Sequence, residues 1–315
     1  MKRILANDGI NESGKEALEK AGFEVITENV PQDNLIEELK NYDAVLVRSA
    51  TKIRKDVIDA CSNISLIGRG GVGMDNIDVE YAKSKGIEVM NTPAASSDSV
   101  AELVFAHLFS MARFLPDSNR NMALSGDQDF KQLKKKYSKG IELRGKTLGI
   151  IGIGRIGQST ARLALGVGMK VVATDPFIDN INLDVEIHGA NKVSVEINTI
   201  SLEELLGQSD FITVHVPGGD APIIGTKEIS LMKDGVGLVN ASRGGVISES
   251  DLLDALKTGK VAYAGLDVFE DEPSPSIKIL MQENISLTPH IGAATKEAQE
   301  RIGAELAEKI IEFYS

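Results

Sequence analysis

The 315-residue sequence contains one cysteine, no tryptophan and only 4% aromatic residues. Because a disulfide needs two thiols, the single Cys61 excludes an intrachain disulfide and is compatible with a reducing compartment. The chain also lacks an apolar run long enough to cross a bilayer, and its N-terminus turns polar at Asn7, too early for a signal peptide. We therefore expect a cytoplasmic globular protein in which Cys61 is a buried spectator.

Positive charge is scarce, since 34 basic residues face 46 acidic ones and the formal net charge is −12. Such a surface repels phosphodiester backbones and anionic lipids, which argues against nucleic-acid and membrane partners. A local basic pocket for one small anion remains compatible with this composition. The length favours two compact domains, each with its own core.

Short apolar runs alternate with segments of helical periodicity along the chain. The predicted strands are Arg3–Ala6, Ala44–Val47, Leu66–Gly68, Leu148–Gly152, Val171–Thr174, Phe211–Val214 and Gly237–Val239. The predicted helical segments include Lys15–Lys20, Leu35–Lys40, Ser248–Leu256 and Glu297–Tyr314. This alternation is typical of parallel sheets crossed by helices, so we predict an α/β fold.

Two segments in the middle of the chain indicate where one domain gives way to the next. Ser99–Phe114 carries apolar residues at helical spacing and is predicted to be a connecting helix. The lysine-rich stretch Lys131–Lys139 is weakly patterned, and we interpret its lysine run as a solvated loop. A new strand beginning near Thr147 is consistent with the start of a second domain.

A glycine-rich turn with G-x-G-x-x-G spacing separates a predicted strand from a helical pattern. Gly152 permits the tight turn, Gly154 lets the backbone approach a pyrophosphate, and Gly157 lets helix and strand pack closely. The helix N-terminus then offers N–H groups to the phosphates. The next predicted strand ends at Asp175, where a carboxylate accepts hydrogen bonds from ribose hydroxyls and repels a 2′-phosphate. The pattern predicts an NAD site.

The four histidines differ in their sequence surroundings. His107 lies on the apolar stripe of the connecting helix and is predicted to be a core or interface residue, whereas His188 lies in a polar stretch and is predicted to be solvated. His215 ends a predicted strand, so a ligand contact and a structural role both remain open. His290 follows a strand end and precedes small residues, a position where a loop carries sites, yet the residues alone leave catalysis and packing equally open.

Four further motifs resemble the D-isomer-specific 2-hydroxyacid dehydrogenases in order and approximate spacing, and the resemblance covers nearly the whole chain. They are Asn240–Gly245, Gly265–Phe269, Glu272–Pro273 and Pro289–Ala293. The resemblance implies that Arg243 holds the substrate carboxylate, since a guanidinium pairs with it bidentately. It also implies that His290 exchanges a proton with the 2-hydroxyl and that Glu272 hydrogen-bonds the other imidazole nitrogen.

The same resemblance implies NAD as the cofactor and no metal site. Cofactor contacts are then expected at the glycine turn, at Asp175, at Arg243 and His290, and at Val72, Arg155, Ile156, Val216, Pro217, Ala241, Ser242, Asp267, Gly292 and Ala293. The family architecture implies a flavodoxin-like substrate domain of residues 1–96 and 291–315, a Rossmann domain of residues 97–290, and an active-site cleft between them. It further implies a homodimer formed through the NAD-binding domain and its connecting helix.

The N-terminal half resembles the D-3-phosphoglycerate dehydrogenase branch of this family through Val47–Lys52, Gly68–Asp78 and Val89–Pro93. The partner is then a phosphorylated 2-hydroxy acid. The substrate is expected to contact Arg243, His290, Arg48, Ser49, Gly70 and Gly71. We expect backbone N–H groups of the 70–73 turn to meet a carboxylate and Arg48 to meet the phosphate. Arg69 and Lys134–Lys136 offer further positive charge, the lysine run being the weakest of these candidates.

Two departures from the family pattern and two alternatives accompany this assignment. The loop Val216–Pro222 differs from the usual leucine- and threonine-containing loop, so packing near the adenine is expected to differ. The chain ends at Ser315, so no serine-binding regulatory domain is expected. One alternative is a glyoxylate or hydroxypyruvate reductase with the same machinery. The other is a non-enzymatic NAD-sensing module of the corepressor kind, because fold alone does not fix function.

Overall fold

A computed structural model describes all 315 residues and contains thirteen β-strands and twelve α-helices. The chain divides into two compact units, residues 1–97 with 293–315, and residues 98–292. The boundaries predicted at 96/97 and 290/291 lie one and two residues before these. No helix has both the length and the apolar character that a membrane span requires.

The first unit is built on a five-stranded parallel sheet of order β2-β1-β3-β4-β5. Its strands are β1 (Arg3–Ala6), β2 (Glu24–Ile26), β3 (Ala44–Val47), β4 (Leu66–Arg69) and β5 (Glu88–Asn91). Its helices are α1 (Glu12–Lys20), α2 (Leu35–Leu39), α3 (Lys55–Ala60), α4 (Val79–Ser84) and the C-terminal α12 (Lys296–Tyr314). This strand order is that of flavodoxin-like folds.

Alternate residues of the first sheet feed two cores, one on each face. In β1, Ile4 packs in the cluster that contains Leu18 of α1 and Leu306 of α12, whereas Leu5 packs with Leu35 of α2. Since neighbouring side chains of a strand point to opposite faces, both faces of this sheet are covered by helices. The predicted apolar stripe of the C-terminal helix therefore packs on its own unit.

The second unit contains a six-stranded parallel sheet of order β13-β12-β11-β10-β6-β7 and a separate antiparallel hairpin, β8-β9. Its strands are β6 (Thr147–Ile151), β7 (Lys170–Thr174), β8 (Asn180–Val185), β9 (Val193–Asn198), β10 (Phe211–Val214), β11 (Val236–Asn240), β12 (Val261–Leu266) and β13 (Ile285–Leu287). The strand order reverses between β6 and β10, which is where open α/β sheets form a ligand crevice.

The helices of this part of the chain include two long neighbours and five that lie between strands. They are α5 (Ser97–Ala112), α6 (Leu115–Lys136), α7 (Arg155–Val167), α8 (Leu202–Gln208), α9 (Thr226–Leu231), α10 (Glu249–Thr258) and α11 (Ile277–Leu280). The predicted connecting helix is thus α5, which ends two residues earlier than expected. Phe114 lies beyond it with a φ of 57°.

The structure corrects the interpretation of the lysine-rich stretch as a loop. Lys134, Lys135 and Lys136 form the last turn of α6, where positive side chains face the negative end of the helix dipole. The Lys136 ammonium lies 2.7 Å from the Asp117 carboxylate. This arrangement explains the helix and ties Lys136 to a partner within its own unit.

Candidate active site

The glycine turn after β6 has the geometry that a dinucleotide phosphate requires. Gly152 has a φ of 90°, and a Cβ there would lie 2.5 Å from the carbonyl oxygen of His215 at the end of β10. A Cβ at Gly157 would strike the carbonyl oxygen of Gly152. A Cβ at Gly154, in contrast, would meet no protein atom within 4 Å. The fold therefore needs two of these glycines, while the third faces open space.

That open space lies in front of the N-terminus of α7. Gly154 is the N-cap residue, and no side chain caps the helix. The N–H groups of Arg155 and Ile156, in its first turn, have no intrahelical acceptor. A cradle of uncapped N–H groups at the positive end of a helix dipole fits a pyrophosphate.

Asp175 lies beside this turn, directly after β7. One of its carboxylate oxygens accepts from the backbone N–H of Ile153 at 3.0 Å, and the other accepts from that of Phe177 at 2.9 Å. These two bonds fix the carboxylate at the edge of the glycine turn. Each oxygen keeps a second lone pair, which is what binding two ribose hydroxyls requires. The residues present thus fit NAD.

Three neighbouring strands, β11, β12 and β13, bring the other predicted residues to one edge of the second sheet. Arg243 follows β11, Asp267 follows β12, and His290 lies three residues after β13. Because the strands are parallel and adjacent, their carboxyl ends meet at the same edge. Positions separated along the chain are thereby collected in one region.

His290 and Glu272 form a hydrogen-bonded pair in this region. The imidazole Nδ1 lies 2.8 Å from Glu272 Oε2, and the other carboxylate oxygen accepts from the backbone N–H of Phe269 at 3.0 Å. Since the carboxylate accepts, the Nδ1 atom carries a proton and Nε2 is the nitrogen left to face a substrate. The His290 side chain is 47% exposed, so a small molecule can reach it.

An apolar cavity of about 410 Å³ adjoins this pair. It is lined by Phe269, Glu272, Pro273, Pro275, Leu280, Leu287, Thr288, Pro289 and His290. Apolar walls around a few polar groups are typical of small-molecule sites. His290 and Glu272 therefore face a cavity whose other lining residues are mostly apolar.

The turn that carries Arg243 is fixed by Asn240 at the end of β11. The Asn240 side chain donates to the carbonyl oxygen of Arg243 at 2.8 Å and accepts from the N–H of Ser242 at 3.0 Å. The buried Ala241 lies between them. A Cβ at Gly244 would strike the carbonyl oxygen of Phe269. The arginine turn therefore packs directly on the segment that leads to Glu272.

Asp267 is 1% exposed, and its carboxylate oxygens already accept hydrogen bonds from other residues of this protein. It accepts from the backbone N–H groups of Ile291 and Gly292, each at 2.8 Å, and from the Thr288 hydroxyl at 2.6 Å. Its motif identified it as a site residue, but the sequence offered no signal for Thr288. The structure shows that Asp267 holds the loop that follows His290.

The remaining histidines are structural or exposed. Of the two options open for His107, the structure selects the core, where it is 2% exposed. His188 is exposed as predicted. His215 Nε2 lies 3.3 Å from the Thr160 hydroxyl and 3.2 Å from that of Thr213, and burial lowers its pKa to about 3. His215 is therefore a neutral residue held within its own unit.

Cys61 is buried, which raises its pKa and agrees with a spectator role.

The loop after His215, which departs from the family pattern, lies against two site residues. Val216 would contact a Cβ at Gly152, and a Cβ at Gly218 would lie 3.5 Å from Arg243 Cβ. Pro217 lies between these two contacts along the chain.

Ala293 belongs to the first unit, where its carbonyl oxygen accepts from the Gln299 side chain at 2.8 Å.

The residues predicted to bind substrate in the first unit lie at the carboxyl ends of β3 and β4. Arg48 and Gly70 line a cavity of about 230 Å³, and Ser49 is exposed next to Arg48. The Arg48 backbone N–H donates to Asp8 at 2.6 Å, which fixes the start of this loop. Arg48 therefore lines this cavity together with Asp8.

The expectation that Gly70 and Gly71 offer N–H groups to a carboxylate is wrong. The Gly70 N–H donates to the carbonyl oxygen of Val47 at 2.9 Å, and the Gly71 N–H donates to the Thr92 hydroxyl at 2.8 Å. Donors already used by the fold are not free for an anion. Gly71 is nevertheless required, because its φ of 136° suits only glycine. The next N–H in this turn is that of Val72.

A Rossmann unit with a histidine–carboxylate pair at the carboxyl ends of its strands defines an NAD-dependent dehydrogenase of hydroxy acids. The family model described as D-isomer specific 2-hydroxyacid dehydrogenase, NAD binding domain, matches residues 105–292. A hydroxypyruvate reductase of Thermotoga maritima is 43% identical over 98% of this chain and 97% of its own length. A D-3-phosphoglycerate dehydrogenase of Methanocaldococcus jannaschii is 42% identical over 98% of this chain, which spans 57% of that relative.

A solved structure of NAD⁺-bound 3-phosphoglycerate dehydrogenase from Entamoeba histolytica superposes with a TM-score of 0.78 at 28% identity, covering 99% of this chain and 95% of that one. The chain belongs to the D-isomer-specific 2-hydroxyacid dehydrogenases. It is an NAD-dependent enzyme, so the hypothesis of a non-enzymatic NAD-sensing module loses its support.

Proposed function

We propose that this dehydrogenase oxidises D-3-phosphoglycerate to 3-phosphooxypyruvate, the entry reaction of serine biosynthesis. The observation that supports a dehydrogenase mechanism most directly is the 2.8 Å contact between His290 Nδ1 and Glu272, which leaves Nε2 for the substrate. The choice of a phosphorylated acid is supported by Arg48 in the lining of a cavity and by relatives of that activity.

His290 is proposed as the general acid–base. NAD, when bound, takes up the hydride that leaves C2 of the hydroxy acid. His290 Nε2 accepts the hydroxyl proton during oxidation and returns it during reduction. Glu272 keeps the imidazole in one tautomer and stabilises its protonated form. Arg243 binds the substrate carboxylate with its planar guanidinium.

The cofactor is proposed to bind along the carboxyl ends of β6, β7 and β10. The uncapped N–H groups of Arg155 and Ile156 hold the pyrophosphate, and Gly154 lets it approach. Asp175 binds the ribose hydroxyls and disfavours NADP, because a 2′-phosphate brought near a carboxylate is repelled.

The phosphate of the substrate is proposed to bind at Arg48. A phosphorylated three-carbon acid carries more negative charge than glyoxylate or hydroxypyruvate, and the chain's net charge of −12 makes a local cation necessary for attracting it. In the 70–73 turn, the Val72 N–H, and not those of Gly70 and Gly71, is the proposed backbone donor to the substrate carboxylate.

A second candidate function is the reduction of hydroxypyruvate or glyoxylate. It is favoured by one specific observation, namely that the hydroxypyruvate reductase relative matches this chain over 97% of its length. The catalytic pair and Arg243 serve both reactions equally. The two candidates differ only in the need for a phosphate-binding cation.

The deciding experiment measures NADH oxidation with 3-phosphooxypyruvate, hydroxypyruvate, glyoxylate and 2-oxoglutarate side by side, with His290→Ala as the blank. We expect 3-phosphooxypyruvate to have the highest kcat/KM. Arg48→Ala is expected to lower that value by about tenfold or more while changing glyoxylate turnover less than about twofold. A higher kcat/KM for an unphosphorylated acid, insensitive to Arg48→Ala, would establish the second candidate.

We also propose that the protein is a homodimer formed through α5 and α6. Apolar side chains on these helices are exposed in the single chain, among them Phe109, Leu115, Met122, Leu124 and Phe130. Exposed apolar groups concentrated on neighbouring helices are typical of an interface. His107 does not belong to this surface, because it is buried.

A further inference from the structure

A series of hydrogen-bonded polar side chains connects to the loop that carries His290, and none of the roles described so far involves this series. It begins at Ser286 in β13, whose hydroxyl lies 2.9 Å from His107 Nδ1. His107, in α5, places its Nε2 atom 3.1 Å from the Thr288 hydroxyl. That hydroxyl lies 2.6 Å from Asp267, so four side chains form one connected series.

The series ends on the backbone of the loop. Asp267 accepts from the N–H groups of Ile291 and Gly292, the two residues that follow His290. His290 itself has a φ of 55°, a left-handed conformation that is costly for a residue with a side chain. Such a conformation persists only where surrounding contacts determine it. The two bonds to Asp267 are contacts of this kind.

The hydrogen bonds fix a proton on His107 Nε2. A carboxylate only accepts, so the Thr288 hydroxyl donates to Asp267. The oxygen of Thr288 then accepts from His107 Nε2–H. His107 Nδ1 accepts from Ser286 when the imidazole is neutral and donates to it when the imidazole is charged. Burial lowers the pKa of His107 and so favours this neutral form.

The neighbouring strand makes room for the imidazole at one position. A Cβ at Gly265 in β12 would lie 2.7 Å from His107 Cβ and 2.8 Å from its Cγ. Contacts this short force the side chain or the backbone to move, and the surrounding core is close-packed. The absence of a side chain at Gly265 is what lets His107 reach both Ser286 and Thr288.

We infer that His107 is a positioning residue that, through Thr288 and Asp267, holds the loop of residues 290–292 and thereby sets the position of the His290 imidazole. The inference rests on the proposed acid–base role of His290. An apolar side chain at 107 removes the donor that orients the Thr288 hydroxyl. The bond from Thr288 to Asp267 then weakens, and the loop becomes more mobile while the site residues remain present.

The test compares His107→Leu with His188→Leu, a matched substitution of an exposed histidine, in the full chain. Amide hydrogen exchange at residues 291 and 292 is expected to become at least about tenfold faster in His107→Leu, because their acceptor is no longer fixed. We expect kcat to fall about tenfold, since small displacements of a catalytic group are costly, while the Kd for NADH rises by a smaller factor, because most of the proposed cofactor contacts lie outside this loop. His188→Leu is expected to leave all three quantities unchanged.

Two further variants separate positioning from general packing. His107→Gln, whose amide both donates and accepts, is expected to recover most of the lost kcat. Gly265→Ala is expected to reproduce the defect by displacing the imidazole. Its control is Gly166→Ala, where a Cβ meets no atom within 4 Å. Thr288→Val, which keeps the side-chain shape without the hydroxyl, supplies the same measurements should His107→Leu not fold.

The outcomes are distinct. Unchanged exchange at residues 291 and 292 in both His107→Leu and Thr288→Val overturns the inference. So does a uniform acceleration across residues 98–292, which indicates general destabilisation of the unit. Failure of the proposed function has a different signature. His290→Ala would then retain full turnover, whereas the exchange result for His107→Leu would stand by itself.

Discussion

At the scale of single residues, the glycine turn separates what the fold needs from what the cofactor needs. Gly157 is required by packing, since a Cβ there would strike the Gly152 carbonyl oxygen. Gly154 faces open space in the chain itself. Its lack of a side chain therefore serves the ligand, whose phosphates approach the N-terminus of α7 at this point.

A pair of alanine substitutions tests this division. Gly154→Ala is expected to change the free energy of unfolding by less than about 1 kcal/mol but to raise the Kd for NADH at least tenfold, about 1.4 kcal/mol. Gly157→Ala is expected to destabilise the fold by about 1–3 kcal/mol through overpacking. Urea unfolding and NADH fluorescence titration measure the two quantities. Equal losses of stability in both variants would contradict the division.

The catalytic pair allows a second test at this scale. Glu272→Gln preserves the size of the side chain but removes the charge that stabilises protonated His290. We expect kcat to fall about 10- to 100-fold, less than for His290→Ala, because the imidazole itself remains. Steady-state kinetics of both variants with 3-phosphooxypyruvate provide the comparison. A Glu272→Gln enzyme as active as the unaltered one would rule out the orienting role of the carboxylate.

At the residue scale, prediction from sequence is most specific where a position has one chemical requirement. The glycine spacing and Asp175 are examples, because backbone approach and ribose binding each demand a specific residue type. The structure places Asp175 beside the glycine turn, and its binding of ribose stays a prediction. It failed for Gly70 and Gly71, whose N–H groups are used by Val47 and Thr92. Which acceptor a backbone donor reaches depends on tertiary contacts that no local pattern records.

At the scale of elements, strands with a distinct apolar run were predicted, including the half-exposed β7, whereas the parallel strand β12 was missed although four of its six residues are buried. β3 is a continuous apolar run, β10 has Thr213 as its one polar residue, and both strands are fully buried, so their sequences identify them. The hairpin of β8 and β9 was missed because only Leu183 and Ile197 in it are buried, which leaves no apolar run. The helix α6 was missed as a whole, because the connecting helix was predicted to end at Phe114 and the lysine run was interpreted as a solvated loop.

The helices α5 and α6 carry the prediction about assembly. Leu124 is 75% exposed and Phe130 is 56% exposed in the single chain, so both are expected to be covered in a dimer. Replacing both with aspartate buries charge at the contact and should raise the dimer dissociation constant at least about 100-fold. Sedimentation velocity over a concentration series measures this change.

A matched control uses Phe177, which is 93% exposed and lies next to Asp175, away from these helices in the sequence. Phe177→Asp is expected to leave the sedimentation behaviour unchanged. If the unaltered chain sediments as a monomer at all concentrations, the proposed dimer is excluded. If the double variant stays dimeric, the contact lies elsewhere.

At the scale of the whole molecule, alternating patterns predicted two α/β units, but the contacts that join distant segments had to come from the structure. His107 and Ser286 are 179 positions apart, and Asp267 and Gly292 are 25 apart. Each residue taken singly fits an ordinary core or loop position. The polar series they form exists only because β12 and β13 are neighbours and α5 packs behind them.

A half-buried neutral histidine, His215, also makes the stability of the molecule depend on pH. Burial lowers the pKa of His215 to about 3, whereas an unfolded chain has an ordinary histidine pKa near 6.5. Between these two values the unfolded state binds a proton that the folded state does not bind. The free energy of unfolding therefore falls as the pH decreases below 6.5, and no such loss occurs above that value.

Urea unfolding at pH 7.5 and pH 5.0 measures this contribution, because most carboxylates titrate below that range. His215 is expected to account for a loss of up to about 2 kcal/mol between the two conditions, from about 1.4 kcal/mol per pH unit below 6.5. His215→Gln keeps a hydrogen-bonding side chain without a titrating group, so its loss should be smaller by that amount. His188→Gln, at an exposed position, should retain the full loss. Equal losses in the unaltered chain and His215→Gln would show that His215 does not stay neutral in the folded state.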